Sequence, residues 1–273
     1  MQCRVTTFAV AAALLLVITG AWGGEVTITP LTITSEGAPV QAILYQPREV
    51  TGRLPALVLS PGRGRDIKGL EWLSRALAER GYIVLAQRYR DGDIRYYLRD
   101  ADDIRHAISH LQGLPNVDPG RVGIIGHSRG GMASLLAAAK DPRVRSTVAL
   151  SAPTDHVRYV RGLREYAPSR YGEMVKSRGG TPDEVPEYYR EISAVNHASQ
   201  IKTPVLLIHG TLDLVAPHDH SQWMYDALVK TGNPRVKLEM LPRLGHFFED
   251  TYRPHQFGKV VELASRWFAE TLK

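Results

Sequence analysis

Short apolar segments alternate with helix-like segments through most of this chain, and this alternation restricts its fold more than any other feature. Six segments have the length and apolar character of buried strands: residues 56–60, 82–86, 121–125, 144–150, 205–209 and 236–241. Five further segments carry apolar residues at helical spacing: residues 70–80, 96–111, 129–140, 218–231 and 255–272. Because strands that alternate with amphipathic helices pair in parallel, the sequence predicts an α/β fold with a mainly parallel central sheet flanked by helices.

Two segments depart from this alternation. Residues 26–34 and 40–45 are rich in Thr and Val and are separated by a turn cluster, which predicts a β-hairpin. Residues 154–200 are rich in Arg, Tyr, Glu, Gly and Pro and hold five tyrosines. We expect them to form a lid-like insertion over the carboxyl edge of the sheet, where ligands bind in such folds. The alternative is a structural excursion that does not contact substrate.

The amino-terminal segment has the pattern of a secretory signal peptide. Arg4 precedes an uncharged run over residues 5–22, and small residues at Ala21 and Gly23 suit a signal peptidase. We expect residues 1–23 to be removed, leaving an exported domain of residues 24–273 that is periplasmic or secreted. An uncleaved membrane anchor is the alternative, because the apolar run is nearly long enough to span a bilayer.

Composition excludes several classes of site. The net charge of +6 is spread along 273 residues, and 44% of them are hydrophobic, which suits one globular domain with a basic surface. Cys3, within the expected signal peptide, is the only cysteine, which excludes disulfides, cysteine nucleophiles and thiolate metal sites from residues 24–273. With no phosphate loop and no zinc or RNA-binding signature, we expect no cofactor, no metal, no nucleic acid and no stable membrane partner after signal cleavage.

The five residues Gly126-His127-Ser128-Arg129-Gly130 lie between an apolar run and a run of small residues. This pattern predicts a strand, a sharp turn and a helix, with Ser128 at the tip of the turn. The two glycines are needed because a side chain at either position would meet the neighbouring strand or helix. Ser128 is therefore a candidate nucleophile.

A serine nucleophile needs a base, and the base needs an acid that orients it. On this kind of sheet the order along the chain is serine, acid, histidine. Asp213 follows the strand at 205–209, and His246 follows the strand at 236–241, so both are expected at the carboxyl edge beside Ser128. Asp155, which follows the strand at 144–150, is the rival acid.

Four other histidines are expected to be structural. His127 is expected to pack away from the reacting face of Ser128, and His209 to be a satisfied core residue at the end of a strand. His218 and His220 have the spacing of a metal pair, but they open a helix that Asp219 is expected to cap.

Two backbone N–H groups are candidates for an oxyanion hole. Arg129 begins a helix directly after Ser128, and Arg63 lies in the glycine-rich loop after the strand at 56–60. The side chains of Arg63 and Arg65 are alternatively available to bind an acidic group of a substrate.

The chain resembles an α/β-hydrolase, and its carboxyl-terminal part resembles the catalytic domain of the prolyl oligopeptidase-like serine peptidases. The matching residues are Gly-His-Ser-Arg-Gly-Gly at 126–131, Pro-Glu-Tyr-Tyr-Arg-Glu-Ile-Ser at 186–193, the stretch 201–213 that ends in Gly-Thr-Leu-Asp, and Gly-His-Phe at 245–247. The resemblance covers most of residues 50–273. It implies that Ser128 is the nucleophile, Asp213 the acid and His246 the base.

Two departures from the family pattern bear on function. The family's His-Gly-Gly oxyanion loop is replaced by Ser-Pro-Gly-Arg-Gly at 60–64. The short segment before the first parallel strand leads us to expect no β-propeller, the domain that restricts the large peptidases to peptides. Stand-alone proteins of this fold, such as the dienelactone hydrolase-like esterases, are often ester hydrolases.

These features predict an exported serine hydrolase that forms an acyl-enzyme, with small carboxylic esters as the leading substrate class. A small peptidase or amidase is the alternative, in which a lid carboxylate (Glu165, Glu173 or Glu187) would bind a substrate amine. A binding protein without catalysis on a hydrolase fold is a second alternative.

Overall fold

The computed structural model describes residues 25–64, 66–90, 97–249 and 255–273. The expected signal peptide and Arg65 lie outside these ranges. The strands are β1 (Val26–Ser35), β2 (Ala38–Pro47), β3 (Leu54–Ser60), β4 (Ile83–Gln87), β5 (Val117–His127), β6 (Ser146–Leu150), β7 (Val205–Gly210) and β8 (Val236–Leu241). The helices are α1 (Glu71–Ala78), α2 (Tyr97–Gln112), α3 (Arg129–Lys140), α4 (His156–Tyr166), α5 (Pro168–Arg178), α6 (Pro186–Ile192), α7 (Asp219–Lys230) and α8 (Phe257–Thr271).

The strands form one sheet in the order β1-β2-β4-β3-β5-β6-β7-β8. All neighbours from β4 to β8 in that order pair in parallel, while β1–β2 and β2–β4 pair antiparallel. The predicted hairpin is present: β1 and β2 are joined by Glu36 and Gly37, both at positive φ (46° and 80°), as a two-residue hairpin turn requires. The expected mainly parallel α/β sheet is confirmed.

Helices cover both faces of the sheet, as the apolar periodicity predicts. Side chains of α2, α3 and α7 pack on one face, including Ile104, Leu135 and Met224. Side chains of α1 and α8 pack on the other, including Leu73 and Phe268. Burial on both faces is the reason that the parallel strands read as continuous apolar runs.

Residues between β6 and β7 form a helical lid, by which we mean α4, α5 and α6 together with a 3-10 helix at Ala194–Gln200. The lid has a small core formed by Tyr159, Val160, Leu163, Met174 and Tyr189, to which Ala216 of the loop after β7 contributes. Two of the five tyrosines therefore stabilise the lid from inside, because Tyr159 and Tyr189 are buried there. Among the helices of the described ranges, none has the length and hydrophobicity of a membrane-spanning segment.

Candidate active site

Ser128 stands at a sharp turn between β5 and α3. Its backbone has φ 54° and ψ −115°, a conformation that non-glycine residues rarely adopt. The backbone N–H of Ser128 donates to the carbonyl of Leu150 at the end of β6 (2.7 Å), and its carbonyl accepts from Met132 in the first turn of α3 (3.1 Å). These bonds fix the turn, so the partly exposed side chain of Ser128 is held above the carboxyl edge of the sheet.

Both flanking glycines are required by close backbone contacts. A Cβ on Gly126 would lie within 3.0 Å of the backbone of Gly130, and a Cβ on Gly130 would lie within 3.0 Å of the backbone of Ser60 and Pro61. The strand, the helix and the loop after β3 therefore approach each other too closely for any side chain. The steric reason predicted from the sequence applies at both positions.

Asp213 lies in the loop after β7 with its side chain buried. Its Oδ1 accepts from the backbone N–H groups of Val215 and Ala216 (2.8 Å each), and its Oδ2 lies 2.6 Å from Nδ1 of His246. Burial raises the pKa of the Asp213 carboxyl, but hydrogen bonds from His209 and His246 and the charges of those rings lower it more, so the pKa lies below its usual range. Asp213 is thus held as a carboxylate.

His246 lies in the loop after β8 and is oriented from two sides. Asp213 holds its Nδ1, and the carbonyl of His246 lies 2.7 Å from Nε2 of His127. The rings of His127 and His246 also touch, with centroids 4.8 Å apart. His127 is therefore packed, as the sequence predicts, and it supports the loop that carries His246.

Ser128 and His246 line one cavity of about 500 Å³ that opens to solvent. Its wall is completed by the loop after β3, by Val215 and Phe247, and by three residues of α5: Ser169, Arg170 and Glu173. The lid therefore reaches the cavity through α5. Its tyrosines are not among the residues of this wall, so the polar and charged side chains of α5 are the part of the lid placed to meet a substrate.

The two candidate oxyanion donors lie near Ser128, one directly after it in the chain and one in the wall of the same cavity. Arg129 is the first residue of α3, so its backbone N–H lies at the amino-terminal end of the helix. Arg63 lines the same cavity as Ser128, together with Gly62 and Gly64. Both residues are therefore near the position of a carbonyl group that Ser128 would attack, as an oxyanion hole requires.

The charged side chains considered in the sequence have different placements. Glu173 lines the cavity and lies 3.7 Å from the guanidinium of Arg63. Glu187 instead pairs with Arg190 on α6 at 2.6 Å, and Glu165 is exposed on α4. Of the three lid carboxylates, Glu173 is therefore the one that is placed to meet a substrate.

Asp155, the rival acid, caps a helix. Its side chain accepts from the backbone N–H of Arg158 at 3.0 Å, at the start of α4. The predicted cap at Asp219 is wrong: α7 begins at that residue, and its N-cap, His218, makes no side-chain capping bond. Within the described residues, no group of three or more His, Cys, Asp or Glu side chains is arranged to hold a metal ion.

One functional contact was missed by sequence reasoning. His209 is buried at the end of β7, as expected, but its Nε2 lies 3.0 Å from Oδ2 of Asp213. A signal was available, since His209 stands four residues before Asp213 at the carboxyl end of the same strand.

Comparison with known proteins finds relatives that cover most of this chain. Residues 69–273 match the model of the prolyl oligopeptidase family, Peptidase_S9. The uncharacterized peptidase YtmA of Bacillus subtilis (strain 168) is 26% identical over 251 residues, which cover 89% of this chain and 93% of that protein. Esterase LipC of Mycobacterium tuberculosis is 28% identical over 219 residues, which cover 71% of this chain and 53% of that protein.

Solved structures share the fold. The acylaminoacyl peptidase of Pyrococcus horikoshii superposes with a TM-score of 0.78 at 21% identity, over 91% of this chain but 42% of that one. A dienelactone hydrolase candidate from Klebsiella pneumoniae superposes with a TM-score of 0.66 at 20% identity, over 90% of this chain and 100% of that one. The chain thus spans less than half of the larger peptidase and the full length of a smaller α/β-hydrolase.

The resemblance seen in the sequence is therefore confirmed for both family and fold. The matched family region contains Ser128, Asp213 and His246, and the relatives include proteins named as peptidases and as esterases. The chain belongs to the prolyl oligopeptidase family and is a serine hydrolase with the α/β-hydrolase fold.

Proposed function

We propose that this protein hydrolyses carboxylic acid derivatives through an acyl-enzyme on Ser128, with His246 as the base and Asp213 as its partner. The observation that carries the proposal is the 2.6 Å contact between Asp213 Oδ2 and His246 Nδ1, in a histidine that lines the same cavity as Ser128. A carboxylate can only accept in this contact, so Nδ1 carries the proton. The lone pair of Nε2 is then free to take the proton of a serine hydroxyl.

The reaction follows from these positions. Ser128 Oγ attacks the substrate carbonyl while His246 Nε2 takes its proton, and the backbone N–H groups of Arg63 and Arg129 stabilise the oxyanion. His246 then gives the proton to the leaving group, which departs and leaves an acyl group on Ser128. Water, activated by the same histidine, releases the acid and restores the hydroxyl. Asp213 stabilises the imidazolium formed in each half of the cycle.

Small carboxylic esters are the leading substrate class. An open cavity of about 500 Å³ accommodates a small ester, and the similarity to an esterase supports this class. Short peptides or amides are the second class, and one observation favours them: Glu173 places a carboxylate in the cavity wall, where it can bind a substrate amine. The family match and the similarity to a peptidase support peptides and amides as strongly as the similarity to an esterase supports esters.

Labelling with a fluorophosphonate tests the nucleophile. The parent protein should react covalently, and Ser128→Ala should not. Ser134→Ala is the matched control, because Ser134 lies on α3 but is not among the residues that line the cavity. Labelling of Ser128→Ala at the parental rate would refute the assignment.

A substrate panel separates the two classes. We expect p-nitrophenyl acetate and butyrate to be cleaved with a higher kcat/KM than aminoacyl p-nitroanilides. Glu173→Gln should lower the kcat/KM of anilides with a free amine and leave that of the neutral esters unchanged. Preference of the parent protein for the anilides would reverse the ranking.

We also propose that the protein is exported and that residues 1–23 are its signal peptide. The support is the pattern of one positive residue, an uncharged run and a small residue at the cleavage point. Intact-mass measurement of the protein produced in a secreting host should give a chain that begins at residue 24. Recovery of the full-length chain in the membrane fraction would favour the uncleaved anchor.

A further inference from the structure

A second histidine contacts the carboxylate that orients His246. His209 is fully buried, and its Nε2 lies 3.0 Å from Oδ2 of Asp213 and 2.9 Å from the carbonyl oxygen of Ala216. Its other nitrogen, Nδ1, lies 2.7 Å from Oγ of Ser221 on α7. The ring is therefore bonded at both nitrogens, on one side to the acid loop and on the other to α7.

The partners of His209 determine where its proton is. A carboxylate and a carbonyl oxygen can only accept, so Nε2 must carry a hydrogen and share it between Asp213 and Ala216. The neutral ring then has a lone pair on Nδ1, which accepts the hydroxyl hydrogen of Ser221. Two imidazole N–H groups thus donate to the same carboxylate oxygen, one from His209 and one from His246.

We propose that His209 is a positioning residue for the reaction, which holds Asp213 Oδ2 where His246 requires it. The two backbone donors on Oδ1 hold one end of the carboxylate. His209 holds the other end, so the carboxylate cannot turn about its Cβ–Cγ bond when His246 becomes charged or moves. The buried titratable groups near His209 in the described residues are Asp213 and His246 in the site loops and His220 on α7. This inference rests on the proposed roles of Asp213 and His246.

Two substitutions at His209 test the role in catalysis. His209→Phe keeps a ring of similar size but removes the N–H donor, and His209→Gln retains an N–H donor at nearly the same distance along the side chain. We expect His209→Phe to lower kcat about 100-fold, the cost of a misplaced catalytic group. Here kcat is calculated per active site, and the concentration of active sites is measured by titration with fluorophosphonate. KM should change less than about threefold, because His209 does not line the cavity. His209→Gln should recover most of the loss.

The pH profile distinguishes positioning from support of the fold alone. In His209→Phe the acidic limb of the pH profile of kcat/KM should move relative to the parent, because the carboxylate that partners His246 loses one of its hydrogen-bond donors. His156→Phe is the control: His156 is equally buried, but its bonds are to Met132, Arg178 and Ser193. In His156→Phe the acidic limb of the pH profile of kcat/KM should stay where it is in the parent. The proposal would be overturned if His209→Phe had the parental kcat per active site and the same acidic limb of the pH profile as the parent.

A measurement on the parent protein covers the case in which His209→Phe does not fold. Nitrogen-15 NMR of the histidine side chains, at a pH where the imidazoles are neutral, should show His209 protonated at Nε2. The signal is assigned by its loss in His209→Gln. A bare Nε2 would overturn the proposal. This NMR measurement does not depend on activity, so it remains valid even if Ser128→Ala shows that the proposed nucleophile is wrong. Failure of the His209 proposal and failure of the proposed function are therefore distinguishable.

Discussion

The guanidinium of Arg129 is joined to the carboxylate of Asp100 by two parallel hydrogen bonds, Nε to Oδ2 at 2.6 Å and Nη2 to Oδ1 at 2.7 Å. The two side chains are 4% and 3% exposed, and the guanidinium also lies 4.1 Å from the ring centre of Tyr89. The pair fastens the first residue of α3 to the first turn of α2. The backbone N–H that we propose as an oxyanion donor is therefore anchored through its own side chain.

Replacing the Asp100 carboxylate, which accepts two hydrogen bonds from the buried Arg129 guanidinium, should destabilise the protein. Asp100→Asn leaves the Arg129 guanidinium buried without a counter-charge, which typically costs about 3–5 kcal/mol. The free energy of unfolding, measured by urea denaturation followed by circular dichroism, should fall by that amount. Glu187→Gln is the control, since its pair with Arg190 is exposed at 70% and 62% and should contribute little. Equal stability of Asp100→Asn and the parent would show that the buried pair adds nothing.

Alanine at Gly126 should abolish the turn at Ser128. A Cβ there would overlap the backbone of Gly130, and neither backbone can move without displacing Ser128, so we expect a loss of more than about 4 kcal/mol. The control is Gly172→Ala in α5, where a Cβ meets nothing within 4 Å. That variant should gain about 0.5–1 kcal/mol from helix propensity. Thermal melts of both variants check the prediction, which fails if Gly126→Ala melts with the parent.

Arg170 should favour substrates that carry a negative charge. It lines the cavity, and no acidic side chain in the described part of the chain lies within ion-pair distance of it, whereas Arg63 is paired with Glu173. Arg170→Gln should lower the kcat/KM of a p-nitrophenyl ester with a terminal carboxylate about tenfold, the value of one hydrogen bond to a charged group. The kcat/KM of the neutral butyrate ester should be unchanged.

Two further measurements check this assignment of Arg170. The preference for the charged ester should weaken as salt is added, because salt screens a partly exposed charge. Arg164→Gln, on the exposed side of α4, should have no effect on either ester. If Arg170→Gln lowered kcat/KM equally for the charged and the neutral ester, Arg170 would shape the cavity without binding the negative charge of the substrate.

Acid should destabilise the protein through His220. Burial and, less strongly, the charge of His209 lower the pKa of His220 from 6.5 to about 3. The folded pKa lies below the unfolded one, so the unfolded state binds the proton first as pH falls. Stability from the neutral ring is present above pH 6.5 and is lost as the pH falls toward 3.

The variant His220→Gln should lack this contribution. The difference in unfolding free energy between the parent and the variant should shrink by on the order of 3 kcal/mol between about pH 7 and about pH 4. Taking the difference removes the effect of groups common to both proteins, such as Asp100, whose pKa burial raises to about 6 despite Arg129. A difference that does not vary with pH would contradict the assignment.

The residues of the proposed triad could be predicted because each depends on local information. Ser128 lies in a strand–turn–helix pattern, and Asp213 and His246 follow strands whose carboxyl ends must meet at one edge of a parallel sheet. The contact of His209 with Ser221 and that of Arg129 with Asp100 could not be predicted in the same way. They depend on how α7 sits against β7 and how α2 sits against α3, and no single segment of sequence contains that information.

The lid illustrates the same limit. Its composition indicates an insertion, but it does not show which residues face inward. Tyr159 and Tyr189 pack into the lid core, whereas α5 supplies residues of the cavity wall. The packing of these three short helices on one another decides which residues face inward, and the composition of the segment does not specify that packing.

The separate core of the lid has a consequence for how such a protein diversifies. Ser128, Asp213 and His246 all stand on loops of the sheet, while the lid reaches the cavity through Ser169, Arg170 and Glu173 on α5. The proposed triad and the polar side chains that the lid adds to the cavity are therefore encoded in different stretches of the gene. Replacement of residues 168–178 is therefore a laboratory route to new substrate ranges that leaves the residues of the proposed triad unchanged.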